Sequence, residues 1–424
     1  MGGVKQIRDV QRVRIARGTT AILVICLAIA ACQPNVAPDG VQCPAPSLDQ
    51  EAAWSAPYQG GVAATSEAEA ARTAATVLER GGNAVDAAAA AAFVLNVVEP
   101  ESSGIGGGGF MMIYLAACRQ TVVVDSRETA PAAATPDMFL AADGKPLPIR
   151  LASTTGLAVG VPGMIRGIAL ALDRYGTMAL ADVLAPAIEA AEAGIVVDER
   201  LAASTAEDRL DTDCAAAPSG SPGMSPYEAA RAVYRRGSDG VACGLPLVPG
   251  SRLVQPDLAR TLRQIAVEGP SAFYDCAHAS GIAQAIVAAQ AVASAAVGPR
   301  GAGRMTCADL ASYRAVVREP VVGTYRGYVI RSAPPPSSGG LAVIQMLRML
   351  ERFPLGDDAR GFGFGAAATL NVTQEAMRLA FADRAVWMGD TDRVPGLPVA
   401  GLVSDAYLRL RSASCDDPNA ADGF

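Results

Sequence analysis

Four consecutive glycines, Gly106 to Gly109, stand directly before two apolar runs in the stretch SSGIGGGGFMMIYLAACRQTVVVDSRETAP, Ser102 to Pro131. Glycine loses more backbone freedom on folding than any other residue, so such a run is tolerable only where the missing Cβ is needed. Ahead of it, AVDAAAAAAFVLNVV is apolar nearly all round, which predicts a buried helix that Asn83 can cap and Glu99-Pro100 ends. Behind it, FMMIYLAA and TVVVDS are continuous apolar runs, as in strands covered on both faces, with a hairpin turn expected at Cys118-Arg119-Gln120. A glycine run beside such a sheet lets another backbone approach very closely. Gly104-x-Gly106-x-x-Gly109 formally matches a dinucleotide-binding fingerprint, but that motif follows a strand and opens a helix. Here the order is reversed, and nucleotide binding is rejected.

The residue inventory narrows the chemistry. His278 is the only histidine, and the lysines are Lys5 and Lys145. One histidine cannot build a multi-histidine catalytic zinc site, and Ser337 and Ser338 have no histidine for a serine triad. His278, in the loop DCAHAS, reads as structural, and Lys145 sits in the polar turn ADGKPLP, which leaves no P-loop or Schiff-base lysine. No metal and no cofactor are expected. The net charge is −7, and an acidic chain has no electrostatic footprint for nucleic acid.

Residues 1–31 read as a signal peptide of the lipoprotein type. Lys5, Arg8, Arg12, Arg14 and Arg17 precede the apolar run Ala21–Ala31, which suits a secretory segment and is too short to span a bilayer. Ile29-Ala30-Ala31-Cys32 resembles a lipobox, making Cys32 the expected lipidation site; cleavage after an Ala-x-Ala-like site, with Cys32 incidental, is the other reading. Residues 32–57 are a Pro/Ala-rich tether, and 58–424 the functional domain. The expected location is the periplasm or cell surface, with the membrane reached through the lipid anchor. In an oxidising compartment some cysteines should pair. Cys214 with Cys243, which bracket an irregular Gly/Pro/Ser-rich excursion, is the first pairing expected.

Elsewhere, Ser66-Glu67-Ala68-Glu69 fits a capping box. GMIRGIALALDRYG, LADVLAPAIEAAEAG, PDLARTLRQIAVEG, SGIAQAIVAAQAVA, GGLAVIQMLRMLERF and LNVTQEAMRLAFADRAVWMG read as helices, and EPVVGTYRGYVIRSAPPP as a strand pair. SAPPPSSGG reads as a strand-to-helix turn rather than a polyproline wall. Asp383-Arg384 reads as a helix-borne structural ion pair.

These segments in this order resemble the large-chain region of γ-glutamyltransferases (glutathione hydrolases). The matching pieces are GGNAVDAAAAAAFVLNVVEPESSGIGGGGFM, VVDSRETAPAAATPDMFL, VGVPGMIRGIALALDRYG, FYDCAHASGIAQAI, LASYRAVVREPVVGTYRGY, SAPPPSSGG and AFADRAVWMGD. Near Thr65 the chain departs from the family, having Ser66-Glu67 where many members have a His-Pro pair. The resemblance implies an α+β fold, the four-layer αββα sandwich of N-terminal-nucleophile hydrolases, in its large-chain part. It implies attack by the hydroxyl of an N-terminal threonine on the γ-glutamyl amide of glutathione or other γ-glutamyl compounds. The threonine's own α-amino group serves as base, and water or an amino acid resolves the intermediate. It also gives Arg127, in DSRETAP, the role of binding the substrate's α-carboxylate, which a guanidinium meets bidentately. From the residues alone, a strand-end arginine paired to Asp125 or Glu128 is the competing reading.

No threonine follows Thr391. By the resemblance the nucleophile belongs to a small chain, separately encoded or lost, so no catalytic residue is assigned here and the chain alone is expected to be inactive. Two other functions stay open: a cephalosporin or glutaryl acylase on the same scaffold, and a non-catalytic lipoprotein that binds γ-glutamyl compounds.

Overall fold

Asn83 begins the most deeply buried helix among the described residues. In the computed structural model, which describes residues 61–153, 155–206, 228–234, 245–291 and 301–413, this helix spans Ala84–Val98 with a complete capping box. The Asn83 side chain accepts from Val85 and Asp86, and Asp86 reaches back to the Asn83 N–H. Ala89, Ala90 and Phe93 are fully buried. The small alanine faces let helices Ala68–Glu79 and Leu180–Ala193 pack closely against it. Helix Ala68–Glu79 lacks the expected capping box. Its N-cap is Glu67, with no side-chain cap bond, and the Ser66 hydroxyl donates to the Glu99 carboxylate.

The chain divides into two compact units, one holding Met1–Gly109 and Ser126–Ala315, the other Phe110–Asp125 and Val316–Phe424. Strands are numbered along the chain. β1 (Phe110–Leu115) and β2 (Gln120–Asp125) form the expected hairpin, with Arg119 left-handed at its turn. β3 (Ile195–Val196) and β4 (Arg252–Leu253) form a short ladder in the first unit. β5 (Val316–Arg318) joins β2, giving an antiparallel sheet of order β1-β2-β5 in the second unit. β2 is central and buried along Thr121–Asp125, as its apolar run predicts. β1 departs from the expectation of two covered faces. It is an edge strand among the described residues, and Met112 and Tyr114 are exposed.

β6 (Val321–Tyr325) and β7 (Tyr328–Ser332) form the second expected strand pair. Arg326 and Gly327 turn it with φ of 47° and 84°, matching the two-residue turns that suit strand twist. Helix Gly339–Leu350 follows the turn in SAPPPSSGG and lies on this hairpin, with Val321, Leu341 and Ile344 buried together. On its other side it packs on helix Ala367–Trp387 through Met349, Val372, Ala376 and Leu379.

A disulfide joins Cys276 to Cys307, and Cys118 is also disulfide-bonded. The expected pairing of Cys214 with Cys243 lies outside the described residues, as does Cys32.

Candidate functional site

β2 ends at Asp125, and the next two residues are held from several sides within the first unit. The Ser126 N–H donates to Gly109 O at 2.9 Å, the Gly109 N–H returns to Ser126 O at 3.3 Å, and the Ser126 hydroxyl donates to Gly109 O at 3.1 Å. Thr129 and Val161 exchange both backbone bonds. The Ala132 N–H donates to Asp309 at 2.8 Å. The Tyr313 hydroxyl donates to the Arg127 carbonyl at 2.9 Å. From this anchored main chain the Arg127 side chain is exposed.

The close approach expected of the glycine run is sharpest at one of its members. A Cβ on Gly108 would lie 2.2 Å from Ser126 O, whereas Gly106 and Gly109 have open space there. Two glycines outside the run matter as much. A Cβ on Gly163 would sit 1.9 Å from Ser126 O and 2.2 Å from Tyr313 Oη, and one on Gly167 would sit 2.2 Å from Ser126 Cβ. Both belong to VPGMIRG, where helix Met164–Tyr175 begins. That helix has no side-chain cap, and the Gly107 carbonyl takes the Gly163 and Met164 N–H groups instead. Gly107 thus performs the capping that a polar side chain usually provides.

Below this segment lie two tyrosines with ring centroids 6.0 Å apart and planes within 15°. Tyr274 is fully buried, and its hydroxyl donates to Pro162 O at 2.9 Å. Burial pushes its phenol above the ordinary value. The Arg166 guanidinium lies 4.5 Å from the Tyr274 ring centroid. Its pKa is lowered, first by desolvation and then by the charge of Arg314. Asp309 caps helix Cys307–Ser312 through Thr306. Burial alone would raise its pKa, but bonds from Ala132 and Thr306 outweigh that and hold the carboxyl below its usual range.

Other candidates fall into structural roles. His278 accepts from the Ser280 N–H at 3.2 Å and lies 3.6 Å from Glu268. Asp125 takes Arg318 Nε at 2.7 Å. Asp383 is structural, as expected, but its ion-pair partner is Arg411 at 2.9 Å rather than Arg384, which donates to Ser338. One helical residue apart, the two side chains of Asp383-Arg384 leave in different directions. Among the described residues no cluster of His, Cys, Asp and Glu could hold a metal ion. Sequence reading missed Gly163, Gly167, Tyr274 and Tyr313. The glycines of VGVPGMIRG were a usable signal, but nothing local marks Tyr313, which lies 186 positions from its partner.

A family model described as gamma-glutamyltranspeptidase matches residues 70–422. The glutathione hydrolase proenzyme of Escherichia coli K12 is 39% identical over 349 residues, covering 82% of this chain and 54% of that protein. The Acylase ACY 1 proenzyme of Pseudomonas sp. V22 is 38% identical over 358 residues, covering 83% and 58%. The crystal structure of Helicobacter pylori gamma-glutamyltranspeptidase is 38% identical with a TM-score of 0.72, covering 84% of this chain and 92% of that one. At that likeness the fold is shared, and the α+β class expected from the sequence, the αββα type of N-terminal-nucleophile hydrolases, holds. The chain spans about half the length of the curated relatives it matches (54% for the first above).

Proposed function

The chain belongs to the gamma-glutamyltranspeptidase family, and on that premise we propose that it is the large-chain part of a glutathione hydrolase. The enzyme cleaves the γ-glutamyl amide of glutathione and related compounds and passes the γ-glutamyl group to water or an amino acid. The nucleophilic threonine belongs to a small chain, in the half of the relatives that this chain does not match. In this reading Arg127 holds the α-carboxylate of the γ-glutamyl group. The observation that carries it is the contrast at one residue: an exposed guanidinium on a main chain bonded through Ser126, Thr129, Ala132 and its own carbonyl. Holding the main chain this way fixes where the arginine side chain starts, which removes the backbone's share of the ordering that opposes binding.

The likeness to Acylase ACY 1 supports a second reading, an acylase on the same scaffold. A glutaryl group keeps the distal carboxylate and lacks only the amino group, so Arg127 would serve either substrate. Comparing γ-glutamyl and glutaryl anilides separates the two readings.

The test of the site is kinetic, on the enzyme assembled with its small chain. Removing one partner of a charge pair that is buried and hydrogen-bonded in the complex costs about 2–5 kcal/mol, or about 30- to 4,000-fold in binding. Arg127→Ala should raise KM for a γ-glutamyl anilide within that range, and Arg127→Lys should raise it less. Self-cleavage should continue in both. An unchanged KM in a folded, processed Arg127→Ala enzyme overturns the assignment.

The lipobox-like Ile29-Ala30-Ala31-Cys32 supports a mature chain that starts at lipidated Cys32 and is tethered through residues 32–57 in the periplasm or at the cell surface. No helix among the described residues is long and apolar enough to cross a membrane. Cys32→Ala should move the protein to the soluble fraction; retention in the membrane would refute the anchor.

A further inference from the structure

We infer that Tyr313 is a positioning residue for Arg127, acting through its hydroxyl on the Arg127 main chain; the inference rests on the reading that Arg127 binds the substrate carboxylate. The direction in which a side chain leaves the backbone is set by the peptide planes on either side of its Cα. At Arg127 the preceding plane is tied to Gly109 through the Ser126 carbonyl, and the following plane carries the carbonyl that Tyr313 holds at 2.9 Å. Tyr313 thus controls the second of the two planes.

The tyrosine is itself held firmly. It is 5% exposed, and its ring stacks on Tyr274. It is the C-cap of helix Cys307–Ser312, whose N-terminus has a complete capping box. The first residue of that helix is bonded to Cys276, two positions after Tyr274, so the disulfide links the two segments that carry the stacked rings. The same helix grips the arginine's segment a second time, where Asp309 takes the Ala132 N–H. Gly163 leaves space for the hydroxyl, since a Cβ there would be 2.2 Å from Tyr313 Oη. A phenylalanine at 313 would keep the ring and its stacking and remove the hydroxyl that bonds Arg127.

The experiment is steady-state kinetics on the processed two-chain enzyme. It compares wild type, Tyr313→Phe, Arg127→Ala and Tyr407→Phe on γ-glutamyl-4-nitroanilide and on the 4-aminobutyryl anilide, which lacks the α-carboxylate. One neutral hydrogen bond corresponds to about a 3- to 10-fold change in equilibrium, so Tyr313→Phe should raise KM for the γ-glutamyl substrate by about that factor, with kcat within about twofold. Its kcat/KM on the 4-aminobutyryl substrate should match wild type. Tyr407→Phe removes a tyrosine hydroxyl bond to Asp383 in the other unit and should shift stability without shifting KM. If Arg127→Ala leaves KM unchanged, the underlying reading of Arg127 fails. If Arg127→Ala raises KM and Tyr313→Phe does not, the arginine reading stands and the positioning role is overturned. An equal loss on both substrates in Tyr313→Phe overturns it too, because that is the signature of general loosening. Should Tyr313→Phe fail to process, Tyr313→Met, apolar and without a hydroxyl, must show the same carboxylate-dependent rise.

Discussion

Around Ser126 and Arg127 the contacts run mostly to main chain; around Asp383 they run from side chain to side chain. In the first unit, Gly108, Gly163 and Gly167 bring other segments so close to Ser126 that no Cβ fits. In the second, the Asp383 carboxylate takes Gln345 Nε2 at 2.9 Å, the Tyr407 hydroxyl at 2.8 Å and Arg411 at 2.9 Å. The cradle depends on side chains that are absent, the knot on side chains that match in charge. A cradle fixes backbone position, and the arginine it carries is exposed. A knot sets its charged groups against each other, which suits a joint between helices.

The largest expected effect lies in the knot. Asp383→Ala takes the acceptor from the Tyr407 hydroxyl and the carboxylate from Arg411 and Gln345, which keep the Leu379 and Leu402 carbonyls, and breaking a buried pair from one side costs about 3–5 kcal/mol. The urea midpoint of the second unit should fall accordingly. A loss below about 1 kcal/mol would show the pair to be effectively solvent-screened, in the range of surface ion pairs, and would break the contrast.

The cradle comes next. Gly167→Ala inserts a methyl group 2.2 Å from Ser126 Cβ, and overpacking of this kind costs about 1–3 kcal/mol. Because the obstruction is a side chain, Ser126→Gly added to Gly167→Ala should recover part of that loss, a non-additivity expected of touching residues. A double variant as unstable as the sum of the singles would show that the crowding lies elsewhere. The single variant should also raise KM for γ-glutamyl substrates, which Asp383→Ala does not predict.

The smallest effects are in pH dependence. Asp309, in the cradle, has its pKa lowered in the folded state because hydrogen bonds from Ala132 and Thr306 outweigh its burial. Its contribution is therefore present above its unfolded value of about 3.9 and lost as pH falls through the lower folded value. Tyr407, in the knot, is pushed up to about 12 by burial and by its bond to Asp383. Its contribution is present below about pH 10 and lost as pH rises from there toward the folded value. Melting curves should show Asp309→Asn weakening the acid arm and Tyr407→Phe weakening the alkaline arm. Tyr274 is also raised, so the alkaline arm should persist in part. An acid arm untouched by Asp309→Asn would refute its share.

Much of the fold was legible because it depends on local periodicity. Helix Ala84–Val98, its Asn83 cap and both hairpins follow from runs of adjacent residues, whose pattern and turn chemistry are properties of the segment alone. The capping box at Ser66 was misread because the helix starts one residue later, at the Glu67 cap, and the serine hydroxyl is turned to Glu99, 33 residues away. The double covering of β1 was misread because a continuous apolar run does not distinguish an edge strand from a central one. Arg127 was picked out through its motif, and its setting was not.

By itself, then, the sequence determined the long helices and both hairpins, the exclusion of histidine and lysine chemistry, and the family to which the segments belong. Only the tertiary structure decided which glycine of the run is indispensable, that Gly163 and Gly167 complete the cradle, that Asp383 pairs with Arg411, and that Tyr313 holds the Arg127 carbonyl. The physical reason is range. Propensity and periodicity act within a few residues and leave a pattern in the string. A forbidden Cβ or a hydroxyl on a distant carbonyl exists only once remote segments have been packed to within a few ångströms of each other.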